Sequence, residues 1–536
     1  MKTTTSKLII LLSIFFVVFG NISFFSNVIQ IYPFTSKNFL FLISLAVVLT
    51  LVIIFLLSLV CYKHTTKPIL ILLLLISSLA SYFMDSYNVV IDHSMIQNIV
   101  QTDMAESIDL LSFKMAVYFF LLGIIPSILV YKADIVYKPF KKEFVSRLKL
   151  SLISLLFIGA VILMFGNFYA SFFREQKPLR YYTNPAYYIY STGKYISKIY
   201  KSSITVTLKQ IGLDAKIPPS DIKRELIILV VGEAARADRF SINGYERETN
   251  PLLKTKKSLI TFSDFWSCGT STAVSVPCMF SIYGQSNFTN EKGDSTENLL
   301  DILQRTGVNV LWRDNNSDSK GVALRVPYQD YKTPETNPIC DVECRDEGML
   351  SNLQEYIESH DKGDIFILLH QMGNHGPAYY KRYPPAFEKY TPVCKSNQLE
   401  DCTKEEINNA YDNAILYTDY FLSKVIDFLE TNNDKFETAM FYIGDHGESL
   451  GEKGIYLHGL PNLIAPDTQK HIPCIIWFGD SFDKEEVNFN TLKDKVNNRY
   501  SHDNIFHTIL GLMEIQTSVY IKEMDIIDHN GEDDND

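Results

Sequence analysis

Five stretches without a charged side chain occupy the first third of the chain: Leu8–Phe25, Phe39–Cys61, Ile69–Met84, Met115–Val130 and Leu150–Phe173. The hydrocarbon core of a bilayer takes about 20 apolar residues as a helix, with about 17 as the lower bound. The second and fifth stretches meet that length, and the third and fourth reach it with their flanks. Backbone polar groups in hydrocarbon must find partners inside their own segment, so such stretches read as helices. No small-residue cleavage site follows the first, which therefore reads as a span rather than a signal peptide. The expected organisation is a transmembrane domain of five helices over 1–173, with an outer loop at 85–114. An interfacial bridge over 174–220 and a soluble domain over 221–536 follow.

Lysine and arginine set the orientation. Lys2, Lys7, Lys63, Lys67, Lys132, Lys138, Lys141, Lys142, Arg147 and Lys149 fall on one side of the spans, against Lys37 and Lys114 on the other. Ten against two puts the N-terminus in the cytoplasm and, after five crossings, everything beyond Phe173 outside. The bridge carries Tyr181, Tyr182, Tyr187, Tyr188, Tyr190, Tyr195 and Tyr200 with Lys194, Lys198 and Lys201 between them. That mixture suits the headgroup layer, with an ordinary linker as the alternative. The net charge is −11 although the loops between spans are basic, so the soluble part is acidic and a poor match for nucleic acid. The acidic end from Glu532 to Asp536 reads as a solvated tail.

Of eight cysteines, Cys61 lies in the second span and Cys474 in a buried apolar run, and both are expected to be unpaired. The other six fall close together, as Cys268 and Cys278, Cys340 and Cys344, Cys394 and Cys402. That spacing favours three local disulfides over the other pairings six cysteines allow. No CxxC pair supports the rival reading, a cysteine zinc site. Disulfides require an oxidising compartment, in agreement with the charge asymmetry.

In the soluble part, Leu226–Val231, Val308–Trp312, Ile365–Leu369, Ala439–Ile443 and Cys474–Phe478 are continuous apolar runs, the pattern of buried parallel strands. Thr403–Glu430 reads as a helix opened by a capping box from Thr403 to Glu406. Strands alternating with helices imply an α/β sheet covered on both faces. Ligands of such sheets bind beyond the carboxyl ends of the strands. There the chain offers Glu233, then His370 and His375, then Asp445 and His446, with His458 farther on. Carboxylate and imidazole are the ligands Zn²⁺ takes where cysteines are occupied elsewhere. The stretch Cys268-Gly-Thr-Ser-Thr-Ala-Val-Ser-Val-Pro-Cys278 adds small hydroxyls ahead of an expected helix through Met279–Ile282. A helix N-terminus favours phosphate, and a metal-bound hydroxyl there can act as a nucleophile.

The stretches VVGEAARADRFSINGY, SCGTSTAVSVPCMFS, LWRDNNSDSKG, GNHGPAYYKRYP and YIGDHGESLGEKGIYLHGLP resemble the lipid A phosphoethanolamine transferases, a family that includes the mobile colistin-resistance enzymes. The resemblance runs along nearly the whole chain and implies a catalytic domain of the sulfatase and alkaline phosphatase type. By position, it implies Glu233, Thr272, Asp445 and His446 as zinc ligands, with Thr272 also the nucleophile. His375 and His458 match histidines at the mouth of the site, assigned to proton transfer, substrate contact or a second zinc. Ser317 and Lys320 match residues near the charged groups of the substrate, while His370 has no assigned role. Asn98, Thr102 and Glu106, spaced four apart, match positions around the phosphoethanolamine headgroup; a solvated loop helix is the alternative.

The implied reaction moves phosphoethanolamine from phosphatidylethanolamine to a lipid A phosphate through a covalent threonine adduct. It implies a Gram-negative inner membrane, a periplasmic catalytic domain, membrane lipids as partners and resistance to polymyxin and colistin. Transfer to a lipopolysaccharide core sugar, and a phosphoglycerol transferase or hydrolase on the same fold, are the alternatives. A sensor with a dead site is disfavoured, since Glu233, Thr272, Asp445 and His446 are all present.

Overall fold

The computed structural model describes residues 2–101, 108–202, 208–219, 223–482, 487 and 489–527. Two compact units emerge: a helical one, Met1–Ile99 with Leu110–Ile199, and a second comprising Val100–Asp109 and Tyr200–Asp536.

Among the described residues, the helical unit holds four helices long and apolar enough to cross a membrane, and a bent pair that makes a fifth span if counted as one. The pair is α1 (Thr5–Gly20) and α2 (Ile22–Ile31), bent by 60°. The break falls at Asn21, whose side chain donates to the carbonyls of Phe16 at 2.9 Å and Asn184 at 2.5 Å. A continuous helix over Leu8–Phe25 was the expectation, and the amide at Asn21 replaces the lost helical bonds with others. The remaining spans are α3 (Ser36–Val60), α4 (Thr66–Tyr87), α5 (Phe113–Lys132) and α6 (Phe140–Met164). The last begins ten residues earlier than Leu150, so that Lys141, Lys142, Arg147 and Lys149 lie in its first turns. Long cationic side chains near a helix end can reach the interface, so apolar composition alone understates such a helix. A separate helix, Gly166–Glu175, takes the rest of the expected fifth stretch.

The second unit is built on a sheet of eight strands: β1 (Glu225–Gly232), β2 (Leu259–Trp266), β3 (Asn309–Asp314), β4 (Tyr328–Asp330), β5 (Ile365–His370), β6 (Glu437–Gly444), β7 (His471–Phe478) and β8 (Tyr500–Ser501). Their order is β8-β2-β7-β6-β1-β5-β3-β4. The central strand β1 pairs in parallel with β5 and β6, so all three end at the same edge of the sheet. Alternate residues of β1 feed two cores: Ile227, Leu229 and Val231 on one face, Leu226, Ile228 and Val230 on the other. Fully burying one such side chain is worth about 1.5–3 kcal/mol, which explains the uninterrupted apolar run. The strand containing Cys474 is antiparallel to both β2 and β6, a correction to the expected parallel pairing. A continuous apolar run signals burial on both faces and carries no information on direction.

The long helix α8 (Lys404–Glu430) packs Ile407, Tyr411, Phe421, Val425 and Leu429 into the second core. Its capping box forms as expected, with the Glu406 amide donating to Thr403 Oγ1 at 3.2 Å and the Thr403 amide to Glu406 Oε2 at 2.7 Å. All three local disulfides, Cys268–Cys278, Cys340–Cys344 and Cys394–Cys402, are present, and Cys61 and Cys474 are free and buried.

Candidate active site

Parallel pairing brings the ends of β1 and β6 side by side, with Gly232 opposite Gly444. The next residue on each strand is therefore a carboxylate, Glu233 and Asp445, and both are fully buried. Asp445 Oδ1 accepts the amides of Ala234 at 3.0 Å and His446 at 2.6 Å. Ala234 adopts the left-handed conformation (φ 51°) that non-glycine residues avoid. That backbone is held by the Asp445 bond and by the Tyr411 hydroxyl, which donates to the Ala234 carbonyl at 2.6 Å.

The Cys268–Cys278 loop supplies a hydroxyl to these carboxylates. The helix expected over Met279–Ile282 instead spans Thr272–Met279 (α7), with Ser271 as its N-cap. Thr272 is thus the first helical residue, and its Oγ1 donates to Glu233 Oε2 at 2.9 Å. Thr270 is turned away, its hydroxyl donating to the Leu460 carbonyl at 2.6 Å. A buried histidine not anticipated from the sequence, His502, ties the loop to the sheet. It accepts the Cys268 amide at Nδ1 (3.1 Å), and its Nε2 donates to the Gly444 carbonyl (2.9 Å). Burial pushes His502 down to about 4, so it stays neutral and can accept and donate at once.

His446 completes the cluster. Its Nδ1 lies 2.9 Å from the Gly447 carbonyl, which can only accept, so the proton of the neutral ring sits on Nδ1. Nε2 then turns its lone pair toward Glu233 Oε1 at 3.3 Å, Asp445 Oδ2 at 3.4 Å and Thr272 Oγ1 at 3.4 Å. Burial, followed by the charge of Glu233, pushes Asp445 up to about 6. Burial works against a charged His446, but Asp445 and Glu233 overcome it and raise the ring to about 10, so that Nε2 holds either a proton or, with its lone pair free, a metal. Burial would also raise Glu233, yet His446 holds it well below the usual range. The site thus demands positive charge at its centre. Glu233 Oε1 and Asp445 Oδ2 are buried without a hydrogen-bond partner. Two bare carboxylate oxygens, an imidazole lone pair and a hydroxyl facing one another fit a bound metal ion.

His458 also offers a ligand atom to the group formed by Glu233 and His446, its ring 4.3 Å from that of His446. Glu448, fully buried, accepts from His458 Nδ1 at 3.0 Å and so aims the other nitrogen away from itself. His375 lies beyond, its ring 5.7 Å from that of His458. Its turn leans on the first carboxylate residue: the Asn374 amide donates to the Glu233 carbonyl at 3.0 Å. Gly373 has φ +49°, and a Cβ there would meet the Glu233 carbonyl oxygen at 2.9 Å, so only glycine fits.

His370 is not part of the cluster. Its Nδ1 pairs with Asp314 Oδ2 at 2.9 Å, and Trp312 Nε1 donates to the same oxygen at 2.8 Å. Asp314 in turn accepts the Asn316 amide at 2.9 Å. Asn316, which stands in the stretch LWRDNNSDSKG without an assigned role, donates to Glu233 Oε2 at 3.0 Å. Ser317 follows on the same loop, and its carbonyl accepts from Lys320 Nζ at 2.7 Å. Asn98 lies half-buried on the helix His93–Gln101, while Thr102 and Glu106 fall outside the described residues.

Known proteins resemble this chain over nearly its whole length. Residues 225–515 match the family described as Sulfatase, and residues 49–200 match that described as Phosphoethanolamine transferase EptA/EptB. The chain is 44% identical over 517 residues to phosphatidylethanolamine transferase Mcr-2 of Escherichia coli, covering 94% of each. It is 41% identical over 517 residues to phosphoethanolamine transferase EptA of E. coli K12, covering 95% of this chain and 93% of that one. Among solved structures, the integral membrane lipooligosaccharide phosphoethanolamine transferase A of Neisseria meningitidis superposes with a TM-score of 0.94 at 37% identity, covering 98% of both chains.

Proposed function

Since the chain belongs to the phosphoethanolamine transferase family, with a catalytic domain of the sulfatase type, we propose that it carries phosphoethanolamine from phosphatidylethanolamine to a lipid A phosphate by way of Thr272. The observation that carries this reading is the 2.9 Å hydrogen bond from the Thr272 hydroxyl to Glu233 Oε2 at the start of a helix. The metal is proposed to be zinc, held by Glu233, Thr272, Asp445 and His446. Zinc bound there would stabilise the threonine alkoxide and the charge developing on the phosphoryl oxygens. The helix N-terminus at Thr272 favours the same charge.

In the first half-reaction Thr272 Oγ1 passes its proton to His375 or His458 and bonds to phosphorus. The bond from phosphorus to the diacylglycerol oxygen breaks, and that oxygen takes a proton from His375 or His458. In the second, a lipid A phosphate oxygen attacks phosphorus, the bond from phosphorus to Thr272 Oγ1 breaks, and Oγ1 takes back a proton from His375 or His458. Splitting the transfer keeps two bulky lipids from crowding one phosphorus together. Asn98, Thr102 and Glu106 are proposed to hold the donor headgroup, with Glu106 matching its ammonium. Ser317 and Lys320 are proposed to contact the charged groups of the substrate.

The added ammonium offsets a lipid A phosphate, weakens the attraction of cationic peptides, and would confer resistance to polymyxins. The reading sets the N-terminus in the cytoplasm and the catalytic unit in the periplasm. Intact-mass analysis of the full-length protein after incubation with phosphatidylethanolamine tests it. A phosphoethanolamine adduct is expected on Thr272, and Thr272→Ala should abolish both adduct and lipid A modification while retaining part of the metal. An adduct on Thr270 or Ser271, or an active Thr272→Ala protein, would refute it.

A further inference from the structure

Arg382 donates in three directions. Its Nε donates to the His375 carbonyl at 2.6 Å, its Nη2 to Asp109 Oδ2 at 2.9 Å, and its Nη1 to Glu343. The residue is only 4% exposed, so the fork is fixed by these partners rather than by water. Asp109 belongs to the segment Val100–Asp109 that clusters with the catalytic unit. Its other oxygen accepts from Lys381, and its carbonyl accepts from Asn397 Nδ2 at 2.5 Å. Burial opposes the charge on Asp109, but Arg382, and after it Lys381, hold the carboxyl below its usual range.

Glu343 sits inside the small loop closed by Cys340–Cys344. That loop leads directly to Asp346, which accepts the amides of Met372 at 2.8 Å and Gly373 at 3.2 Å. Asn315 braces Asp346 and the loop together, donating to Asp346 Oδ1 at 2.8 Å and to the Cys344 carbonyl at 3.0 Å. The turn Met372–His375 is therefore gripped at its amide end by Asp346 and at its carbonyl end by Arg382. A disulfide across so few residues can add little to a core, yet here it anchors both grips.

We propose that Arg382 is a positioning residue for His375, anchored by Asp109 and Glu343. This rests on the role given to His375 in the proposed reaction. A guanidinium spends three donors on one turn and two carboxylates, and their geometry fixes the backbone from which the imidazole projects. Displacing a catalytic group by an ångström costs about a hundredfold in rate, which sets the scale of the effect. Lysine keeps the charge but has no planar fork with which to hold all three partners.

The test is a double-mutant cycle in the full-length, zinc-loaded protein, read as diacylglycerol release from phosphatidylethanolamine in detergent. Arg382→Lys is expected to lower kcat/KM by about ten- to a hundredfold. In a His375→Ala background the same change should cost less than about twofold, because the group it positions is gone. Should Arg382→Lys not fold, by its thermal transition, Asp109→Asn takes its place and should show the same non-additivity with a smaller loss. Equal losses in both backgrounds would overturn the positioning role and leave His375 its function. A His375→Ala protein of full activity would instead remove the function given to His375, and the proposal with it.

Discussion

Glu233 Oε2 accepts two hydrogen bonds, one from the Thr272 hydroxyl and one from Asn316. The second leaves Oε1 alone facing His446, so Asn316 decides which carboxylate oxygen is available to a metal. Asn316 is itself fixed, since its side chain also donates to the Gln371 carbonyl at 2.7 Å and its amide to Asp314. Asn316→Ala should therefore weaken metal retention and transfer by about ten- to a hundredfold, the usual cost of losing a group that orients a ligand. Metal content after dialysis and diacylglycerol release measure this, and unchanged retention would reduce Asn316 to a packing role. The residues Glu233, Asp445 and His446 were legible because each stands at the end of an apolar run, where polar residues are conspicuous. Asn316 and His502 were not, because each acts through a partner remote in sequence. The bond from Asn316 to Glu233 crosses 83 residues and that from Cys268 to His502 crosses 234.

Among the elements, the helix at Thr272 and the edge of the sheet mark where pattern reading stopped. The run Ser-Thr-Ala-Val-Ser-Val-Pro-Cys has weak helix formers and a proline, so its helix was expected to begin later than it does. Strand β2 went unread because its buried residues, Ile260, Phe262 and Phe265, break the two-residue period at Ser263 and Asp264, where the pairing with β7 shifts register. What fixes both elements is tertiary: His502 links the loop before α7 to Gly444 at the end of β6. That link has a pH signature. The folded state holds His502 near 4 against an ordinary 6.5, so folding favours the neutral ring. A depressed pKa gives stability that is fully present above 6.5 and lost as pH falls toward 4. The loss from this one ring is on the order of 3 kcal/mol. His502→Gln can keep a donor to Gly444 while removing the titration. Its thermal midpoint should be lower at neutral pH but should fall less steeply between pH 6.5 and 4 than that of the parent. Parallel midpoint curves for the two proteins would place the acid sensitivity elsewhere.

For the whole molecule, orientation is the property from which its chemistry follows. The proposed transfer to lipid A requires the catalytic unit to face the periplasm, and two independent features of the chain favour that orientation. The first is charge. Lys141, Lys142, Arg147 and Lys149 occupy the start of α6, and each positive residue near a span end favours the cytoplasmic side. The second is redox state, since Cys268–Cys278, Cys340–Cys344 and Cys394–Cys402 form only where disulfides persist. The same cysteines make the test simple. Six are bonded and the remaining two, Cys61 and Cys474, are buried, so the parent protein should be silent to a membrane-impermeant maleimide. Single cysteines at exposed positions on opposite sides then report the topology. Lys404→Cys, at the start of α8, should label in intact spheroplasts. Lys141→Cys, in the first turn of α6, should label only after the membrane is opened. The reverse pattern would invert the orientation. Labelling of both in intact cells would mean that α6 does not carry the chain across. Labelling of the unreduced parent protein would break the argument from disulfides while leaving the one from charge.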